Sequence, residues 1–201
     1  RYELFNKRLS QEEILDFVPP YFHYNFYANQ FYRNIDKDLY RNKYKLFWLF
    51  KQRNIPTPEV LARYYKGSLY NLQNEQIDLD DVLHQLSAGD KLFFKPTTGQ
   101  GGTGIIVMHF LNGILHYHQC PLTKEAIYQV LKDKEYVLQK GLIQRDDISS
   151  INSSSVNTLR VVTQWRNATP VIAVVVMRIG RDGKEVDNSH QGGISVRVDV
   201  N

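Results

Sequence analysis

Phe93-Phe94-Lys95-Pro96-Thr97-Thr98-Gly99-Gln100-Gly101-Gly102-Thr103-Gly104 runs directly into Ile105-Ile106-Val107-Met108. A lysine closes one strand-like run, four glycines follow within six residues, and a second apolar run begins at once. Without a Cβ, glycine lets backbone N–H groups approach a polyanion closely, and Lys95 adds a full positive charge beside them. A nucleoside triphosphate is the natural ligand for such a loop. A glycine-rich hairpin that binds nothing is the plain alternative.

Spacing separates the loop from its commonest look-alikes. Gly99, Gly101 and Gly104 match G-x-G-x-x-G, but a dinucleotide fingerprint needs a helix straight after the loop. Here Ile105 to Phe110 is followed by Leu111-Asn112-Gly113 and then Ile114 to His118. Asn-Gly between apolar runs is a hairpin signal, so the loop is expected between strands. A Walker loop would end in Gly-Lys-Ser/Thr, which is missing from this stretch. A protein kinase carries its lysine on the strand after the glycines, whereas Lys95 precedes them.

The 201 residues are 42% hydrophobic, enough for a sizeable core in one domain or two small lobes. No run approaches the ~18 apolar residues of a membrane span, and no secretory leader is visible. Cys120 is the single cysteine. It allows no internal disulfide and fits a reducing compartment, so a cytoplasmic location is expected. The net charge of +4 is unevenly spread, with Arg41, Lys43, Lys45, Lys51 and Arg53 close together. Their interleaving with Tyr40, Tyr44, Phe47 and Trp48 resembles a nucleic-acid stripe. Helical spacing favours aromatics packed inward and lysines in water, so no nucleic-acid partner is expected.

The rest of the chain reads as α+β. A capping box, Ser10-Gln11-Glu12-Glu13, opens a short helix that Pro19-Pro20 closes, and residues 21–32 are crowded with aromatics. A long helix is expected from about Asp36 to Arg53, and a short one near Asp78. Strands are expected at 91–94, 105–110, 114–118 and 136–139, with a helix from Thr123 to about Lys132. The end is β-rich, at 159–165, 171–178 and 194–200. Ser149 to Ser155 reads as a mobile polar loop. These elements divide into an N-terminal helical region (1–76), a lid lobe with the glycine flap (77–138) and the start of a second lobe (139–201).

Taken in order, these motifs resemble the ATP-grasp superfamily, and within it the branch associated with sugar transfer. The likeness runs from about Asp36 onward and extends to the ribosomal-protein glutamate ligases. It implies an α+β ATP-grasp fold in which two lobes clasp a nucleotide. Lys43, twelve residues before Ile55-Pro56-Thr57-Pro58, resembles the nucleotide-contacting lysine of such ligases. Lys95 is similar to the lysine that reaches the α-phosphate. Gly99, Gly101, Gly102, Thr103 and Gly104 look like the flap over the β- and γ-phosphates. Gln139, Lys140 and Leu142, in Val137-Leu138-Gln139-Lys140-Gly141-Leu142, resemble the hinge whose backbone meets adenine.

Asn157-Thr158-Leu159-Arg160 is similar to the Asn-x-x-Arg of the sugar-transfer branch, with Arg160 suited to a phosphate or carboxylate. In the stretch from Arg178 to Gly192-Gly193, Asn188 is similar to an asparagine that the glutamate ligases carry four residues before Gly-Gly, and Arg178 and Asn188 are the candidate acceptor-side residues there. The arginine that precedes the asparagine in that pattern is unmatched, since Val186 and Asp187 stand there. Mg²⁺ would be held by an acid and a Glu-x-Asn pair well after Gly192-Gly193. Asn201 comes eight residues after Gly193, so those ligands are expected beyond it and no metal ligand is assigned here. The resemblance implies an ATP-dependent ligase that activates a carboxylate as acylphosphate for attack by an amine or hydroxyl. Its substrate would be small, such as a sugar or amino-acid carboxylate, in surface polysaccharide biosynthesis. A non-catalytic nucleotide-binding module or truncated relic is the alternative. His109, His116 and His118 lack the fixed carboxylate or thiol partner of a zinc site.

Overall fold

The computed structural model describes residues 36–99, 101–132, 134–181, 183, 187 and 192–199. Two compact units divide the chain, 1–38 and 39–201. Residues 36–38 are the described part of the first. The capping box at Ser10 and the aromatic segment 21–32 therefore lie outside the described residues.

Helices α1 (Lys37–Arg41) and α2 (Lys43–Gln52) occupy the stretch expected as one helix. Asn42 makes the break. Its backbone is extended and its side-chain oxygen accepts from the N–H groups of Tyr44 (3.1 Å) and Lys45 (3.0 Å), which is an N-cap. The Lys43 N–H donates instead to the Thr97 carbonyl at 2.8 Å. The interruption thus fastens the start of α2 to the residues beneath the glycine loop.

Eight strands form one antiparallel sheet in the order β3-β2-β1-β8-β4-β5-β6-β7. They are β1 (Val60–Tyr65), β2 (Ser68–Tyr70), β3 (Gln76–Ile77), β4 (Lys91–Pro96), β5 (Ile106–Leu111), β6 (Ile114–Tyr117), β7 (Cys120–Pro121) and β8 (Tyr136–Lys140). The sequence reading places no strand between residues 54 and 78, and β1 to β3 correct it. Val60, Leu61 and Ala62 are buried in succession because β1 lies inside the sheet, so the alternation that marks a half-exposed strand is missing. The turn at Asn112-Gly113 is as expected, with φ of 50° and 81°. Two successive positive φ values match the twist of a tight hairpin.

Short α3 (Leu79–Leu83) and α4 (Lys124–Leu131) cover one face of this sheet. Leu79, Val82, Ile127 and Leu131 pack there with Leu92, Phe94, Met108 and Leu138. On the other face, Tyr44 and Phe47 of α2 pack against Val60 and Val137, with Trp48 beside them. The aromatics of the basic helix that are buried therefore serve packing, while Tyr40 on α1 is exposed. Strand β8 feeds both layers in turn, Tyr136 and Leu138 to one and Val137 to the other, as the two-residue period of a strand requires. Lys95 lies opposite Val137, so it emerges on the face that α2 covers.

After α5 (Asp146–Ser149) come β9 (Thr158–Arg166), β10 (Thr169–Ile179) and β11 (Ile194–Val198), a second antiparallel sheet in the order β11-β10-β9. Register sorts its side chains. Leu159, Met177 and Val196 share one rung and Val161, Val175 and Val198 another, on an apolar face. Thr158, Arg178 and Ser195, then Arg160, Val176 and Arg197, lie on the opposite face. The segment expected as a mobile loop is instead pinned by buried amides. Asn157 Nδ2 donates to the carbonyls of Ile148 (2.9 Å) and Asn152 (3.0 Å), and Asn152 Nδ2 donates to that of Gly180 (2.5 Å). Buried polar side chains need such partners, and here the loop backbone supplies them.

Candidate functional site

The site begins with two lysines on one face of the larger sheet. Lys43 opens α2, and its Nζ donates to the carbonyls of Pro96 (2.8 Å) and Gly99 (3.2 Å) at the base of the flap. Lys95, near the end of β4, has its Nζ 5.2 Å from the centre of the Phe93 ring. Burial lowers the pKa of both from the ordinary 10.5, and for Lys95 repulsion from Lys43 adds to it. Among the described residues neither ammonium has a carboxylate partner. Two half-desolvated cations held together without an anion make a site that an anion would stabilise.

The flap supplies the backbone. Gly99, Gly101, Gly102 and Gly104 have φ of 120°, 68°, 78° and 74°, a region that residues with a Cβ enter only with strain. A Cβ at Gly104 would lie 3.1 Å from Pro96 Cγ, whereas at Gly99 or Gly101 it would meet nothing within 4 Å. The glycines at 99 and 101 therefore serve the backbone's course, and the space above them is open. Thr103 lies exposed among them. Beneath, Thr97 is buried with its hydroxyl unpaired, its N–H given to Glu135 and its carbonyl taken by Lys43.

Beside this pair lies a cavity of about 240 Å³. Phe93, Ile105, Leu142 and Val156 give it apolar walls, and Lys95, Thr158 and Asp187 give it a polar end. An apolar slot with a few convergent polar groups is the usual form of a small-molecule site. Gly141 lets the segment after β8 press on β4, since a Cβ there would meet Lys91 Cβ at 3.0 Å. The Lys140 ammonium pairs with Asp90 at 2.7 Å, and that bond holds the Asp90 carboxyl below its ordinary pKa. Backbone donors are also committed here. The N–H of Lys140 goes to Glu59 and that of Gly141 to Lys91, while Gln139 lies between Val60 and Phe93 in the sheet.

Of the acceptor-side residues, Arg178 is half-buried. Its Nη2 donates to the Asp187 carbonyl at 3.0 Å, and its Nε lies 3.9 Å from the Asp187 carboxylate. The Thr158 hydroxyl donates to the same carboxylate. Arg160 is exposed, on the same sheet face as Thr158, and Asn188 lies outside the described residues. Sequence reasoning missed Thr158 and Asp187 as cavity walls, and missed Thr97. Thr158 stands inside the Asn-x-x-Arg motif and was in reach, but nothing in the sequence signals that Asp187 folds back onto Arg178.

The model of the sugar-transfer associated ATP-grasp family matches residues 23–201. The chain belongs to that family. No curated protein and no solved structure matches it. ATP-grasp proteins are ATP-dependent and ligase-like, act on small molecules, and generally bind ATP with Mg²⁺. The residues present fit a triphosphate, with a lysine pair that has no carboxylate partner among the described residues, a flap of glycines at positive φ and, next to it in the chain, a buried Thr97 hydroxyl without a partner. Among the described residues no three His, Cys, Asp or Glu side chains lie close enough to share a metal ion. Also among the described residues, no helix is long and apolar enough to cross a membrane.

Proposed function

We propose that this ATP-grasp protein uses ATP to activate a substrate carboxylate, giving an acylphosphate that an amine or hydroxyl then attacks. The phosphoryl group moves from the ADP oxygen to a carboxylate oxygen. The nucleophile then displaces phosphate and loses its proton. The observation that carries the reading is the Lys43–Lys95 pair, desolvated and without a carboxylate partner among the described residues, at the base of a glycine flap. Such a pair offsets the charge of phosphate oxygens from fixed positions, so catalysis rests on positioning and electrostatics, with no protein nucleophile. Flap residues Gly99, Gly101, Gly102, Thr103 and Gly104 give N–H and hydroxyl donors and exclude water when closed.

The apolar cavity suits the base. Because Lys140 and Gly141 have already given their N–H groups, Leu142 is the next backbone donor toward adenine, and Gln139 and Lys140 shape the wall. Arg160 would hold the acceptor carboxylate, while Arg178 and Asp187 brace the cavity's polar end; Asn188 is proposed on the acceptor side. In this reading the flap-bearing sheet is the lid and the three-stranded sheet begins the second lobe. The family's association with sugar transfer supports a sugar or amino-acid carboxylate, with surface polysaccharide as the destination.

Trapping decides the matter. With ATP, magnesium, a panel of sugar and amino acids and hydroxylamine, the protein should form hydroxamate in step with phosphate release. ATP binding without phosphate release across the panel would make it a nucleotide-binding module instead.

A further inference from the structure

Arg63 stands on β1 directly opposite Val137, and Val137 stands opposite Lys95. The three form one rung across β1, β8 and β4, on the face covered by α2. The Arg63 guanidinium is held by its surroundings. They are aromatic. The guanidinium carbon lies 4.8 Å from the ring centre of Tyr44, 4.6 Å from Tyr65 and 5.9 Å from Tyr70. Its Nε is buried with no hydrogen-bond partner, so ring faces stand in for acceptors. A planar, weakly hydrated guanidinium suits that environment better than an ammonium would.

The important ring belongs to Tyr44, the residue after Lys43. Three contacts fix the first turn of α2. Asn42 caps it, the Lys43 N–H binds the Thr97 carbonyl, and Tyr44 lies on Arg63. From that turn the Lys43 side chain reaches the carbonyls of Pro96 and Gly99. We infer that Arg63 is a positioning residue, which through Tyr44 sets the first turn of α2 and so holds Lys43 beside Lys95 at the flap. The inference rests on the proposed phosphate role of the two lysines and adds a residue that touches neither nucleotide nor flap.

The test compares affinities for ATP and for adenosine in wild type, Arg63→Gln, Arg63→Lys and Tyr44→Leu. A residue that merely packs the fold would weaken both ligands together. Positioning of Lys43 predicts a selective loss. Arg63→Gln and Tyr44→Leu should each lower the ATP-to-adenosine affinity ratio by about tenfold, with adenosine affinity unchanged. Arg63→Lys, which keeps a cation among the rings, should recover part of the ratio. If Arg63→Gln does not fold, Tyr44→Leu alone decides by the same ratio. An unchanged ratio in a folded variant overturns the inference. A wild type that does not prefer ATP to adenosine overturns it too, and places the failure in the phosphate reading itself.

Discussion

Lys43 and Lys95 are held below their ordinary 10.5 by burial, and that direction fixes a pH dependence. Between their folded pKa values and 10.5 the folded chain binds fewer protons than the unfolded one. Their contribution therefore makes stability rise with pH through that window. Phosphate oxygens beside the ammoniums would favour the charged forms again, so binding should take up protons there and weaken as pH rises. Titrations stepped through the alkaline range up to 10.5, in buffers of different ionisation heat, should show net proton uptake on binding ATP. Buffer-independent heat throughout that range would mean that these lysines do not meet the phosphates. Lys95 stood out in the sequence from its place before the glycines, whereas Lys43 was singled out only through the resemblance to ATP-grasp ligases. What was not legible is that Lys43 bonds the flap's own carbonyls, because backbone partners leave no trace in residue type.

The flap lies between β4 and β5, and both strands begin and end within two residues of expectation. A glycine cluster between apolar runs and an Asn-Gly turn speak through local backbone rules. Strand β1 was hidden for the opposite reason, since a strand buried on both faces has no alternation to read, while β2 and β3, at three and two residues, are too short to show a period. The Asn167-Ala168 turn was equally silent, with φ of 48° and 61° and no glycine. At Gly101, φ is +68° and a Cβ would meet nothing. Gly101→Val should therefore disturb the loop's course without striking a neighbour. The expected result is a melting temperature close to wild type and ATP affinity lower by about tenfold. Lost stability with unchanged affinity would make the loop a structural hairpin and nothing more.

The two sheets differ in how they are covered. The larger one has helices against it, whereas the three-stranded sheet shows Leu159, Trp165, Ile172 and Ile194 at 62%, 75%, 55% and 57% exposure. An apolar face of that size is ordinarily a contact surface. The β-rich end was read correctly from the sequence, but the sorting of arginines to one face and aliphatics to the other needed the register. Trp165→Lys should leave chemical stability within about 0.5 kcal/mol of wild type and reduce binding of a hydrophobic dye. A variant that unfolds would show that Trp165 is covered in solution.

The central claim is that Lys95 and the flap receive a triphosphate. Calorimetric titration of ATP into wild type and Lys95→Ala tests it most directly, with circular dichroism confirming that both are folded. A charge-assisted hydrogen bond to phosphate contributes about 1.5–3 kcal/mol, so the variant should bind ATP at least about tenfold more weakly. Equal affinity in the two folded proteins would contradict the account.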